Sequence, residues 1–502
     1  MHTYGQLAAG DSLISYAGRR WAAMDSHTYT LNPYCGRVVP PRSVLHRRLP
    51  HAWRLQRGAG RGYPESAFKI ATFDRWLIVV SGRRMVQELR KRPVDELSGP
   101  LGFQENFQIK YVLEPAVLSD RYHGEVAKEK LLKKVSTLLP NIIDEVFVAV
   151  DDNVPIGGGE WNSVHITSLM SKILARASNR AFVGLPLGRN EEFLKLAVGF
   201  AMHFAKGAGV LRLVPNFMKS FLAPFVSNGK DDISRAVPYL RPIIEERTRA
   251  AAKLGEAWSD KPNDFLQSLL DRAIPKGESV SLVTQRLFMF NFAAIGTSSS
   301  AKNPGLAASL REEAHTCISA NGWTGAALGS MWKLDSVLRE TLRYYGVGLV
   351  SMTRKVLKDV TLHDGTRLPA GTLVSANAYS MHHDGALLED AGKFDPLRYA
   401  RMRSVEGQGL KHQFAVTSPD YIPFGHGPRA CPGRFLASYT LKAVLAYILL
   451  RYDLKLAGDG ARPQSAYVSL AVVPARDGRV LFKKREVLVR LGMGSELSDG
   501  VE

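Results

Sequence analysis

Cysteine is scarce in this 502-residue chain. Cys35, Cys317 and Cys431 are all it has, at spacings that build neither a zinc motif nor a disulfide framework. That inventory suits a reducing compartment and leaves each thiol to be explained singly. Acids are scarce at the start: residues 1–62 hold nine Arg, no Lys and only Asp11 and Asp25, so this segment carries +7 of the total +19 and leaves +12 for the other 440 residues. The same segment has no apolar run near the roughly 18 to 20 residues that span a bilayer, and Arg19 and Arg20 break up any secretory leader. Neither a membrane anchor nor a secretory signal is expected there, and residues 1–62 are left as a basic, unassigned segment.

Basic residues interleaved with aromatics are lacking too. The remaining positive charge falls in short groups such as Arg83 and Arg84, Arg90 to Arg92, and Lys483 to Arg485. This pattern excludes a nucleic-acid module and fits a surface that docks an acidic electron donor or lies near anionic lipid.

What is present reads as globular: 45% apolar and 23% charged residues, enough for one large domain with an ample core. Order begins near residue 63. Ala67–Ala71 and Trp76–Val80 flank the Asp74, Arg75 turn as a predicted hairpin, and an amphipathic helix follows from Arg83 until Pro93 stops it. The domain is expected over 63–488, with 489–502 as a disordered tail.

The chemistry centres on Cys431. Gly425, Gly427 and Pro428 before it suit a tight loop that lets backbone approach something bulky. Pro432 and Gly433 after it lead into an apolar run reaching Leu450, so the thiol sits just before a helix N-terminus. That position, with Arg429 close in sequence, favours thiolate and hence metal ligation. The alternative for such a cysteine is inert packing.

The pattern Phe424, Gly427, Arg429, Cys431, Gly433, five fixed positions in ten residues, resembles the haem-binding loop of the cytochrome P450 superfamily. The resemblance implies a mainly α fold with small β-sheets, haem b held between a long central helix and the cysteine loop, and Cys431 as thiolate ligand of the iron. It further implies that Phe424 packs beside the thiolate, Arg429 pairs with a haem propionate and Gly433 lets helix and porphyrin approach. Arg354, His123 and Lys128 fall where members of the family bind propionates.

Phe288 to Ser300 is apolar and then turns to small hydroxyls, similar to the family's central helix. Family members there carry two small residues, an acid and Thr. Ala293, Ala294 and Thr297 match, and the resemblance implies that the Thr297 hydroxyl steers protons toward the reacting dioxygen. The acid is missing: Gly296 stands in its place, costing a helix about 1 kcal/mol relative to Ala. Pro304 and Gly305 predict an early end to this helix and a link to the next motif about ten residues shorter than in similar fungal sequences.

Leu334 to Tyr345 is a predicted helix with Leu334, Leu338 and Leu342 on one face. Glu340 and Arg343 form an i, i+3 pair that means little alone. With Lys393 to Arg398 downstream, however, they resemble the family's buried triad Glu340, Arg343, Arg398, which holds the coil beneath the haem. Tyr467 to Pro474 is expected as a strand whose bend lines the substrate pocket.

These resemblances imply a monooxygenase that inserts one oxygen atom from O2 into a lipophilic small molecule, with electrons from NADPH through a flavoprotein reductase and an expected place at the endoplasmic reticulum membrane, held there peripherally. Ala175 to Gly188 and Trp258 to Leu266 resemble blocks of fungal secondary-metabolism members, including the ent-kaurene-oxidase-like group, which suggests a terpenoid. Two alternatives remain open: a reductase-independent isomerase or dehydratase of the same fold, and a non-catalytic haem-binding remnant.

Overall fold

The computed structural model describes residues 65–72, 74–154, 159–291, 304–458, 460, 462–475 and 477–486. Thr297, Gly296, Cys35, the 1–62 segment and the 489–502 tail lie outside the described residues.

Helices dominate, and small sheets sit at the margins. The largest sheet has five strands, in the order Ala67–Ala71, Trp76–Val80, Leu373–Ala376, Ser351–Val356, Leu97–Ser98. Its first two strands form the expected hairpin, pairing Ala67 with Val80 and Ala71 with Trp76. Trp76–Val80 then pairs in parallel with Leu373–Ala376, which brings stretches of chain some 300 residues apart into one sheet. The Ser351–Val356 strand is irregular: its register against Leu373–Ala376 shifts between Ser351 and Arg354, and Met352 within it has φ 56°. A bulge of this kind re-aims the side chains that follow it, here Arg354.

The main core lies among the helices. Phe193 and Phe200 of the Glu191–Leu213 helix pack edge-on against Phe288 of the Val280–Asn291 helix, and Phe204 stacks on Phe200. The Glu191–Leu213 helix is long and apolar enough to cross a membrane, but half of its apolar window is buried in this core. The Trp332–Tyr344 helix has no side-chain cap of its own. Glu313, from the Pro304–Asn321 helix, supplies one from outside: its carboxylate accepts the N–H groups of Lys333 (2.7 Å) and Leu334 (2.9 Å). Burial outweighs those donors and pushes the Glu313 carboxyl up.

One sequence expectation changes here. Tyr467 to Pro474 is a short hairpin, Ala466–Val468 against Ala471–Val473, rather than a single bent strand. Ser469, at φ 54°, takes the left-handed conformation that the turn between them needs.

Candidate functional site

The loop around Cys431 is held from three sides. At its start, both polar groups of the Ile422 peptide are clamped: Ser351 Oγ donates to the carbonyl (2.6 Å), and the N–H donates to His382 Nε2 (3.1 Å). Within it, Gly425 N–H returns to the Ile422 carbonyl (3.0 Å), and Cys431 N–H donates to the Phe424 carbonyl (2.8 Å). Phe424 itself stands edge-on to Phe414. At its outer side the loop lies against the Arg83–Lys91 helix. Gly427 has φ 81°, and a Cβ there would come within 2.5 Å of Arg90 Cγ, so both conformation and space require glycine.

Cys431 immediately precedes the Arg434–Arg451 helix, and the backbone N–H groups of Gly433 and Arg434 stabilise its sulfur. The guanidinium that assists is that of Arg434, not Arg429 as sequence proximity suggested; Arg434 Nη1 donates to the Cys431 carbonyl (2.8 Å). Burial is the larger influence and pushes the Cys431 thiol up. Helix and arginine therefore do not outweigh burial at this sulfur, and a bound iron would favour the thiolate.

Arg429 and Arg354 stand near each other instead. Arg354 is only 6% exposed, its Nε has no partner among the described residues, and its Nη1 reaches just the Thr353 carbonyl (3.1 Å). Burial first, then the Arg429 charge, push its pKa down to about 10. A buried and a half-buried guanidinium with no carboxylate between them among the described residues form a receptor for an anionic group. Haem propionates fit that need. At Gly433 a Cβ would meet nothing within 4 Å, so the space on that side of the loop is open to a planar group.

Beneath the loop, Glu340 is fully buried in a twin hydrogen bond to Arg343, 2.7 Å to each oxygen. Arg398 Nε reaches the same carboxylate at 3.4 Å, and Asp395 N–H at 2.9 Å. The remaining guanidinium donors go to carbonyls of His382, Glu389, Asp390, Ala391 and Lys393. The triad thus ties the Trp332–Tyr344 helix to an otherwise irregular coil.

The two other propionate candidates go elsewhere. Lys128 lies on the surface, 46% exposed, paired with Glu125 at 2.9 Å, because the chain turns into a wide π-helical segment at Lys128–Lys133. His123 is half-buried and accepts from Arg286 Nη1 at 3.0 Å through Nδ1, so the neutral ring carries its proton on Nε2. Burial, then Arg286 and Arg121, push its pKa down to about 4. Arg286, fully buried and paired with Glu278 at 2.7 Å, escaped the sequence reading, since a charged residue inside an apolar helix gives no sign of its partners.

Fold and loop together define a haem-thiolate protein. The family model described as Cytochrome P450 matches residues 134–482. A cytochrome P450 monooxygenase of Ganoderma lucidum, CYP512U6, is 50% identical over 93% of this chain and 92% of its own length. Monooxygenase 151 of Postia placenta is 41% identical over 85% and 88%, respectively. A solved structure titled retinoic acid bound cyanobacterial CYP120A1 shares the fold, with a TM-score of 0.62 at 20% identity over 84% of this chain and 92% of that one. The chain belongs to the cytochrome P450 family, among its fungal monooxygenases. Haem with a cysteine thiolate on its iron is therefore its cofactor, and incorporation of oxygen from O2 its reaction class.

Proposed function

We propose that this monooxygenase oxidises a lipophilic terpenoid-like molecule in fungal secondary metabolism and takes its electrons from an NADPH-dependent flavoprotein reductase. When bound, haem supplies the oxidising chemistry. The chain's own contribution is a clamped Cys431 loop, a propionate receptor at Arg354 and Arg429, and an apolar interior. The Cys431 loop carries the reading. Support for a terpenoid comes from the likeness of Ala175 to Gly188 and Trp258 to Leu266 to blocks of fungal secondary-metabolism members.

Peripheral attachment to a membrane, the endoplasmic reticulum by family likeness, completes the reading. It is supported by the Asn216–Val226 helix, which buries Lys219 and Ala223 but exposes Phe217 (83%), Phe221 (70%) and Phe225 (73%) along one face.

The primary experiment is spectroscopic. The reduced carbon monoxide complex is expected to show the family's red-shifted Soret band, and haem-loaded Cys431→Ala to lose it; a variant that keeps the band overturns the ligand assignment. With reductase present, oxidised product should form only with NADPH and O2 together. Turnover of a substrate without either would instead indicate an isomerase or dehydratase.

A further inference from the structure

His382 links the buried triad to the start of the Cys431 loop by hydrogen bonds. Its backbone carbonyl accepts a hydrogen bond from Arg343 of the buried triad, and its side-chain Nε2 accepts the Ile422 N–H that opens the Cys431 loop. The residue is the last of the short Ala378–His382 helix, whose N-cap, Asn377, accepts from Ser380 N–H (3.3 Å) and donates through its own N–H to the Val80 carbonyl (2.8 Å). The imidazole is therefore fixed to the five-stranded sheet on one side and to the triad on the other. Its ring lies 5.7 Å from the Tyr421 ring, tilted by 32°, and the Arg339 guanidinium lies 3.6 Å from the Tyr421 centroid.

The chemistry of the ring suits this place. Ile422 is fully buried, so its N–H has no water to turn to, and a buried amide without a partner loses the whole of its solvation. An imidazole accepts at Nε2 only when that nitrogen is unprotonated. Burial, then the charges of His383, Arg343 and Arg339, hold it neutral, with a pKa near 3. From Ile422 the connection runs on through its carbonyl to Gly425 N–H, and through Phe424 to Cys431 N–H.

We propose that His382 is a positioning residue for the cofactor ligand: it transmits the rigidity of the Glu340, Arg343, Arg398 triad to the Cys431 loop through one backbone and one side-chain hydrogen bond. The role rests on the haem-thiolate reading of that loop, but its first test does not. A glutamine at 382 can place its amide oxygen where Nε2 now accepts, whereas phenylalanine keeps the ring and offers no acceptor.

Two measurements on His382→Phe and His382→Gln follow. Deuterium uptake in peptic fragments containing Ile422 should rise about tenfold in rate in the phenylalanine variant and stay near wild type in the glutamine variant. In the haem-loaded proteins, the reduced carbon monoxide spectrum should shift from the thiolate-ligated Soret band toward the blue-shifted, thiolate-free form in His382→Phe, and be restored in His382→Gln. Wild-type uptake and spectrum in His382→Phe overturn the proposal, as does a glutamine variant no better than the phenylalanine one, because either result reduces His382 to packing. Should His382→Phe fail to accumulate, His382→Gln decides alone: protected Ile422 with an intact band supports the role, and rapid exchange overturns it. Normal exchange effects without any thiolate band in wild type would count against Cys431 as ligand, not against the clamp.

Discussion

Removing a buried charged side chain ordinarily destabilises a protein, and Arg354 is where the reverse is expected. Its guanidinium is buried, faces the like charge of Arg429 and lacks a carboxylate among the described residues. Arg354→Met should therefore stabilise the haem-free chain by about 1–2 kcal/mol, since an uncompensated charge has been removed. The same variant should lose haem roughly tenfold faster, because the anion receptor is halved. Urea denaturation of the apoprotein and haem transfer to a scavenger measure the two effects. A variant weaker in both respects would show that Arg354 serves folding and not the cofactor.

Elements here are joined by a few polar contacts between distant stretches, and the triad is the clearest case. Glu340→Gln leaves Arg343 and Arg398 facing each other without a counter-charge and should cost about 3–5 kcal/mol. Haem content after purification and the urea midpoint should both fall; full haem content with normal turnover would refute it. The sequence showed this element well, since Leu334, Leu338 and Leu342 mark the helix, while the triad of Glu340, Arg343 and Arg398 came from the resemblance to the family and not from spacing alone. The hairpin at Ala67–Ala71 and Trp76–Val80 was equally plain from two short apolar runs around the Asp74, Arg75 turn. What escaped were contacts whose partners are far off in the chain. Glu313 caps a helix 20 residues on, Arg286 reaches His123 163 residues back, and His382 meets Ile422 40 residues ahead. No periodicity encodes such pairings, and Arg429 was misjudged for the same reason: closeness in sequence to Cys431 proved a poor guide to which guanidinium stands beside the sulfur.

At the scale of the whole molecule, acid should act through histidines that folding keeps neutral. His123 titrates near 6.5 when free and near 4 in the fold, so between those values the unfolded chain binds the extra proton. Stability is thus fully present above about pH 6.5 and falls as pH drops toward 4, by on the order of 3 kcal/mol from this residue. Unfolding midpoints of wild type and His123→Gln at pH 7 and pH 4.5 test this, with a smaller loss expected in the variant; equal losses would place the acid sensitivity elsewhere. The exposed face of the Asn216–Val226 helix makes a second prediction at this scale. Each of Phe217→Ser, Phe221→Ser and Phe225→Ser should weaken partitioning onto phospholipid vesicles by about tenfold in a flotation assay. Unchanged partitioning of the triple variant would rule out this helix as the membrane contact.

The unopposed arginines at 354 and 429 also bear on how the protein reaches its working number of copies in a cell. A newly translated chain without haem keeps the Arg354 charge unopposed near that of Arg429, and so should close that region less firmly than a loaded one. Proteases act first on chains that open. Copies made while haem is short should be cleared sooner than copies made in plenty, so that abundance follows cofactor supply with no dedicated sensor.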